Sequence, residues 1–408
     1  MRLMISREGA VLVGVVLPGL SRQAVAEHLD ELARLVDTAG GCEVGRVVQE
    51  RASPDPAFYL GRGKVAEVVR LVQEAEARVV VFDDDLSGAQ VRHLEEELPD
   101  GVKVLDRAGV ILDIFAQRAR TREAQTQVEL AQLEYLLPRL TRRWSHLSRQ
   151  AGGIGTRGVG ETQLETDRRI IRRRIAHLKR RLAEVERERA TQRRRRARLP
   201  GVALVGYTNA GKSTLFTALT GEETFIEDRL FATLDPRVRR AALGDGLIAT
   251  VSDTVGFIRK LPHHLVASFR STLAEVLHGD VLVHVIDASH PGWEEQRRVG
   301  EEVLASLGVD PASCVLALNK IDLLEEASPA PLQRTAVAIS ARTGAGLEEL
   351  KHVVRQRILA LPDVVVMRFP PEGGEALRTA LAEEEVVAQR FTVEGIELVV
   401  RRSDGREV

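Results

Sequence analysis

From Ala10 to about Phe115, short apolar runs alternate with stretches in which apolar residues recur every three or four positions. The runs Val11–Leu17, Val44–Gln49, Arg78–Phe82 and Val102–Leu105 predict strands, and Arg22–Asp37, Lys64–Glu76 and Ser87–Leu98 predict helices. Strand and helix in alternation predict a small α/β domain with a largely parallel sheet. From Ile111 to Leu140 the period stays helical, with Leu130, Leu133, Leu137 and Leu140 on one face. One long helix is expected there, kinked or ended by Pro138. The stretch Gly152-Gly153-Ile154-Gly155-Thr156-Arg157-Gly158-Val159-Gly160 breaks the pattern. So many unrestrained backbone positions are costly to freeze into regular structure, so a loop is expected.

Glu161 to Arg198 is helical in composition, with a thin apolar thread of Ile171, Ile175, Leu178, Leu182 and Val185 among charges. Such a thread predicts a helix hairpin or short coiled coil, the Ile111–Leu140 helix being the candidate partner. Leu199-Pro200-Gly201 marks a boundary, after which Val202–Val205, Leu247–Ser252, Val281–Ile286, Cys314–Leu318 and Val337–Ile339 predict the strands of a second parallel α/β domain. Leu361-Pro362 closes it, and the remainder reads as a strand, a helix over Glu375–Glu384 and two strands meeting near Glu394-Gly395. The expected organisation is an N-terminal α/β domain over 1–118, a helical linker with a glycine-rich loop over 119–198, a larger α/β domain over 199–361 and a small C-terminal α+β domain over 362–408.

Composition narrows this picture. The 408 residues, 44% of them hydrophobic, suffice for two or three cores and exclude disorder as the main state. Cys42 and Cys314 are far apart and outside any Cys/His cluster, which argues against a disulfide framework or a structural zinc site. No apolar run approaches the roughly 20 residues that span a bilayer, and Met1 to Arg7 lacks a signal-peptide pattern. A cytoplasmic monomer is expected, with no membrane span and at most peripheral membrane association.

The net charge of −1 conceals a strong asymmetry. Between Arg139 and Pro200 there are 20 Arg and Lys against 6 Asp and Glu, a surplus of 14, so the rest of the chain carries −15. Only seven lysines occur in the chain, so the positive charge is overwhelmingly guanidinium, which suits bidentate phosphate contacts. The glycine loop lacks side-chain bulk and could enter a narrow RNA crevice. Trp144 and His146 could stack on bases, although a solvated face, packing between domains and a hinge loop explain the same residues. Candidate RNA contacts are Gly152, Gly153, Gly155, Arg157, Gly158, Arg172 and Arg173.

The strand Val202–Val205 runs into Gly206-Tyr207-Thr208-Asn209-Ala210-Gly211-Lys212-Ser213, which is GxxxxGK[ST] between a strand and a helix. In such a phosphate loop, backbone N–H groups surround the β-phosphate, Lys212 reaches the β- and γ-oxygens and the Ser213 hydroxyl ligates Mg²⁺. Asn319-Lys320-Ile321-Asp322 at a strand end selects guanine, because a carboxylate can accept both N1–H and the N2 amino group, donors that adenine lacks. Asn319 is expected to brace the loop and face N7, and the Lys320 stem to lie over the ring. Ser340-Ala341, followed by Arg342, is expected to offer backbone N–H groups to O6. Between these motifs, Asp253-Thr254-Val255-Gly256 places Asp253 to hold Mg²⁺ through water and the Gly256 N–H to meet the γ-phosphate. Thr233, within Phe231-Ala232-Thr233-Leu234-Asp235-Pro236, is the candidate second hydroxyl ligand to Mg²⁺, contributed when a mobile loop closes over GTP. Phe257 stands where many GTPases have a water-orienting glutamine, so slow intrinsic hydrolysis is expected and the water-positioning group is not identified.

This ordered set of motifs resembles the Obg/HflX group of translation-factor-related GTPases. The glycine loop running into Gly160-Glu161-Thr162-Gln163-Leu164-Glu165-Thr166-Asp167-Arg168-Arg169, with Tyr59-Leu60-Gly61-Arg62-Gly63-Lys64-Val65 upstream, looks specifically like the HflX family. The resemblance covers about Val11 to Leu361. It implies a P-loop GTPase domain over 199–361 and binding to the large (50S) ribosomal subunit and its rRNA. It further implies dissociation of stalled or idle 70S ribosomes, a ribosome-rescue activity driven by GTP binding and hydrolysis. It also implies that Asn209 could ligate K⁺, with loop bracing as the alternative, and that Gly61-Arg62-Gly63-Lys64 could hold ATP, with a plain turn before a helix as the alternative. A rival reading is an RNA-remodelling protein driven by ATP at the N-terminal domain, the G domain serving as a sensor. Asp83-Asp84-Asp85 could hold a metal but more simply starts a helix near its positive end, and His263-His264 are too isolated for a metal site.

Overall fold

The computed structural model describes residues 7–140, 163–196, 199–222, 230–231, 233–234, 237–260, 279–324, 336–371 and 374–402. The chain divides into two units, Met1–Val185 with Lys260–Ser268, and Glu186–Arg259 with Phe269–Val408.

In the first unit, β1 (Glu8–Val16), β2 (Gly41–Glu50), β3 (Val79–Phe82) and β4 (Lys103–Asp106) form a parallel sheet in the order β2-β1-β3-β4. The connecting helices are α1 (Arg22–Ala39), α2 (Arg62–Glu74) and α3 (Gly88–Glu97), followed after β4 by α4 (Arg107–Arg118). α1 begins where the Ser21 side chain accepts the Ala24 N–H and ends at Gly40, whose φ of 99° lets its own N–H turn back to close the helix. Between these caps Val25, Leu29, Leu32 and Val36 recur on one buried face.

The single helix expected over Ile111–Leu140 is instead two, α4 and α5 (Arg122–Leu136). Ala119 leaves helical geometry, and the Thr121 side chain starts a new helix by accepting the Ala124 N–H at 3.1 Å. The apolar period runs through both helices and so hides the break. α6 (Gln163–Arg196), the long basic helix, buries Ile171 and Leu178, and Arg174 and Lys179 pair with Glu129 and Glu134 of α5. α5, within the stretch expected to partner this helix, is thus joined to it by ion pairs.

The strand ends of this unit carry a web of charge. Asp83, after β3, binds Arg107 at 2.5 Å and Lys260 of the same unit at 2.5 Å, with His28 at 3.5 Å; Arg107 also binds Glu31. Lys260 also pairs with Asp84. Asp106 caps α4 through the Gly109 N–H and accepts from Tyr135 and Arg139. Asp83 and Asp84 thus answer protein cations, and no metal-ligating group of three or more His, Cys, Asp or Glu occurs among the described residues. Gly61-Arg62-Gly63-Lys64 is the start of α2, the Gly61 N–H going to Gln49 Oε1 and Lys64 Nζ to Glu67.

In the second unit, β5 (Gly201–Gly206), β6 (Arg237–Ala242), β7 (Ile248–Asp253), β8 (Val281–Asp287), β9 (Val315–Asn319) and β10 (Ala336–Ala338) form a sheet in the order β10-β9-β8-β5-β7-β6. All neighbours are parallel except β6, which pairs antiparallel with β7. The helices α7 (Lys212–Thr220), α8 (Trp293–Ser306) and α9 (Leu347–Leu359) accompany it. The near-continuous apolar strands are buried on both faces, as parallel sheets require, with Val202, Leu204, Val283, Val285, Leu215 and Phe216 at the centre. A three-stranded antiparallel sheet, β11 (Val364–Phe369), β12 (Glu385–Thr392) and β13 (Gly395–Arg401) in the order β11-β13-β12, follows with α10 (Gly374–Glu383). Its Val387 and Ala388 enter the larger sheet's core, and Arg401 forks onto Asp280 at 2.6 and 2.9 Å. No helix among the described residues is long and apolar enough to cross a membrane.

Candidate functional site

In a parallel sheet, ligands gather beyond the carboxyl ends of the strands. Here β5 ends at Gly206, β7 at Asp253, β8 at Asp287 and β9 at Asn319, so one edge collects a phosphate loop, two carboxylates and an amide. The loop itself is held open by glycine. Gly206 has φ +144°, and a Cβ there would lie 2.1 Å from the Val285 carbonyl oxygen; Gly211 has φ +93°, and its Cβ would lie 2.2 Å from Asn319 Nδ2. Lys212 is buried and its Nζ donates to the carbonyls of Gly206 (3.2 Å) and Tyr207 (2.9 Å). Burial pushes the ammonium down to about 8, with Asp253 acting in the opposite sense. A cation held this way invites an anion to complete its surroundings.

Three oxygens from three segments converge beside it. Ser213 Oγ is 2.6 Å from Asp253 Oδ2 and 2.9 Å from Thr233 Oγ1, and Thr233 Oγ1 is 3.0 Å from Asp253 Oδ2. Adjacent ligands of an octahedral Mg²⁺, each about 2.1 Å from the ion, stand about 3 Å apart, so the two hydroxyls fit as neighbouring ligands. Asp253 is buried, its carboxyl raised by desolvation, and its Oδ1 has no hydrogen-bond partner among the described residues. That oxygen is available to a metal-bound water while Oδ2 orients the hydroxyls. The residue set fits Mg²⁺.

The segment after β7 lies against the phosphate loop. Thr254 donates its hydroxyl to the Leu204 carbonyl at 2.7 Å, which fixes the segment to β5. A Cβ on Gly256 would meet Thr208 Cα at 2.7 Å and Lys212 Nζ at 3.0 Å, so only glycine permits this approach. Val255 is buried beside it. Phe257 turns into the core at 1% exposure, its ring beneath Gly300 of α8, where the Nε2 of buried His284 also points. The side chain at the expected water-orienting position is therefore a core residue.

At the base end, Asn319 braces two loops at once, donating to the Ala210 carbonyl and accepting the Ala341 N–H, both at 2.9 Å. The Ala341 N–H expected at guanine O6 is thus engaged within the protein, and the Ser340 N–H goes to the Ala345 carbonyl. The Ser340 side chain acts instead, donating to Asp322 Oδ1 at 2.6 Å, while Arg342 reaches Asp322 Oδ2 at 2.6 Å. The Ser340 hydrogen bond first and Arg342 after it hold the Asp322 carboxyl below its usual range, so it stands ready as an acceptor. Lys320, with φ 65°, pairs with Asp287 at 2.7 Å. The sequence reading had not included Asp287, although β8 and β9 place it opposite Asn319.

The structure brings together Gly206–Ser213, Thr233, Asp253–Gly256 and Asn319–Asp322 with Ser340–Arg342; Phe231 and Leu234 are buried nearby. Ala232 and Asp235, and the RNA candidates Gly152, Gly153, Gly155, Arg157 and Gly158 with Trp144 and His146, lie outside the described residues, as do His263-His264. Arg172 and Arg173 are exposed on α6 and line a surface recess with Arg168, Arg169, Glu165 and Ala176.

Three family models match the chain: "GTP-binding GTPase N-terminal" over residues 26–116, "GTP-binding GTPase Middle Region" over 118–196, and "50S ribosome-binding GTPase" over 201–320. GTPase HflX of Caldanaerobacter subterraneus is 44% identical over 96% of this chain and 90% of its own length. GTPase HflX of Escherichia coli is 43% identical over 95% of this chain and 91% of its own. Among solved structures the chain is similar to SsGBP in complex with GDP, at 26% identity, 87% and 100% coverage and a TM-score of 0.48.

Proposed function

That this chain belongs to the HflX family of GTPases is the premise from which we propose its role: a Mg²⁺-dependent switch that binds the large ribosomal subunit and dissociates stalled or idle 70S ribosomes. Hydrolysis of GTP to GDP and phosphate is the activity of the site. The observation that carries the switch reading is Thr233, which comes from outside the phosphate loop yet lies within 3.0 Å of both Ser213 and Asp253. Mg²⁺ bound by Ser213 and Thr233, and through water by Asp253, would neutralise charge on the phosphates. Thr233 and the Gly256 N–H then give the GTP state contacts that the GDP state lacks, and such a difference is what shifts a population between conformations.

Support for the ribosomal partner comes from the family description matched by residues 201–320 and from the surplus of 14 positive charges between Arg139 and Pro200. Arg168, Arg169, Arg172 and Arg173 present guanidinium groups along α6 suited to rRNA phosphates. Four such contacts would give a salt slope of about −3 to −4 in log K against log salt. The glycine loop over 152–160 is proposed to enter the RNA. Asn209, at φ 63° in the phosphate loop, is proposed to ligate K⁺ during hydrolysis; equal GTPase rates in KCl and NaCl would reject that part. The role itself is tested by sedimenting 70S ribosomes with the protein and GTP, a nonhydrolysable analogue or GDP. Splitting is expected with the triphosphates and not with GDP, and intact 70S particles under all three conditions would reject it.

A further inference from the structure

The two variable residues at the start of the phosphate loop do more than carry the chain past the phosphates. Tyr207 forms an isolated parallel bridge with Phe257: the Phe257 N–H donates to the Gly206 carbonyl at 2.9 Å, and the Thr208 N–H donates to the Phe257 carbonyl at 2.6 Å. The loop thereby extends the pairing of β5 into the segment that carries Gly256. The two side chains then continue outward in different directions. The Tyr207 hydroxyl accepts the Arg259 N–H at 2.9 Å, two residues past Phe257. The Thr208 hydroxyl accepts the Phe231 N–H at 2.9 Å, two residues before Thr233.

Phe231 needs holding. It sits at φ 55°, a left-handed conformation that a bulky residue rarely adopts unless its surroundings enforce it. Two residues on, the Thr233 hydroxyl stands at Ser213 and Asp253. Thr208 is 6% exposed and the hydrogen bond to Phe231 is buried, so water competes poorly for it.

We propose that Thr208 and Tyr207 are positioning residues for GTP hydrolysis, the Thr208 hydroxyl latching the Phe231–Thr233 segment and the Tyr207 hydroxyl latching the Gly256–Arg259 segment onto the phosphate loop. Neither needs to touch the reacting atoms; each fixes a backbone whose neighbour does. The inference rests on GTP hydrolysis at this site and is independent of the ribosomal role.

The test is ribosome-free, single-turnover GTP hydrolysis by the full chain with Mg²⁺, beside equilibrium affinities for GTP and GDP. Thr208→Val keeps the β-branched shape without the acceptor. It is expected to slow hydrolysis by about 3- to 10-fold and to reduce the preference for GTP over GDP by a similar factor, the size of one hydrogen bond, with GDP affinity within about twofold of the parent. Thr208→Ser restores both quantities. Tyr207→Phe is expected to slow hydrolysis by a comparable factor. A Thr208→Val protein that hydrolyses and discriminates like the parent overturns the proposal, as does a Thr208→Ser protein as impaired as the valine variant. If valine also disturbs GDP binding, Thr208→Ala, which removes the hydroxyl without adding bulk, decides: parental hydrolysis and discrimination overturn the latch, and selective loss of both sustains it. A ribosome-splitting failure with these hydrolysis results intact would count against the proposed function alone.

Discussion

Asn319→Ala should destabilise the nucleotide domain even without nucleotide. The amide is 2% exposed and makes two 2.9 Å hydrogen bonds, one to the Ala210 carbonyl of the phosphate loop and one from the Ala341 N–H of the base loop. Both partners belong to buried residues, so truncation leaves a carbonyl and an N–H with nothing in reach of the lost amide. At about 1–3 kcal/mol for each buried group left unmade, the cost is about 2–6 kcal/mol. Against a domain stability of roughly 5–15 kcal/mol this is a large share. Urea unfolding followed by circular dichroism, with and without GDP, measures it; with a slope near 3 kcal/mol per molar, the midpoint should fall by about 0.7–2 M. Guanine-nucleotide affinity should fall as well, because the loops lose their common brace. A variant with unchanged midpoint but weakened nucleotide binding would show that Asn319 serves the base alone and that the bracing is energetically idle.

Three further outcomes follow from the same site. His284 is buried and its pKa pushed down to about 4, chiefly by desolvation, with Glu301 raising it and Arg297 and Lys212 lowering it. The unfolded chain therefore binds the extra proton first, and stability is lost as pH falls from about 6.5 towards 4, by about 3 kcal/mol in all; His284→Leu should flatten that limb of the urea midpoint against pH, and an unchanged slope would refute the assignment. Gly256→Ala places a methyl group 2.7 Å from Thr208 Cα and 3.0 Å from Lys212 Nζ. Single-turnover hydrolysis should fall roughly tenfold or more, since small misplacements are costly in catalysis, while GDP binding persists. Asp322→Asn replaces a pure acceptor with an amide, and competition binding should show guanine nucleotides weakened on the order of 100-fold and xanthine nucleotides, which offer a carbonyl at that edge, gaining.

What could be read in advance had a local cause. Gly206–Ser213 and Asn319–Asp322 are contiguous runs at the ends of β5 and β9, so spacing along the chain is spacing in the candidate site. β6 was missed because Arg237-Val238-Arg239-Arg240-Ala241-Ala242 has the charged, exposed character of an edge strand rather than an apolar run. The break between α4 and α5 was missed because it depends on one hydroxyl at Thr121, which the apolar period does not sense. The roles of Thr208, Tyr207 and Ser340 depend on where residues 231, 259 and 322 arrive in space. No local pattern encodes that arrival.

The antiparallel pairing of β6 with β7 sets Arg237 directly opposite Asp253, so the end of the sheet rail stands beside the carboxylate that Ser213 and Thr233 approach. Thr233 is four residues upstream of that anchor and can travel no more than about 14 Å from it, even on a fully extended tether. No rearrangement that leaves β6 in place can therefore carry this threonine far afield. The hydroxyl is held on a short leash from one fixed post, so it never strays far from Ser213 and Asp253.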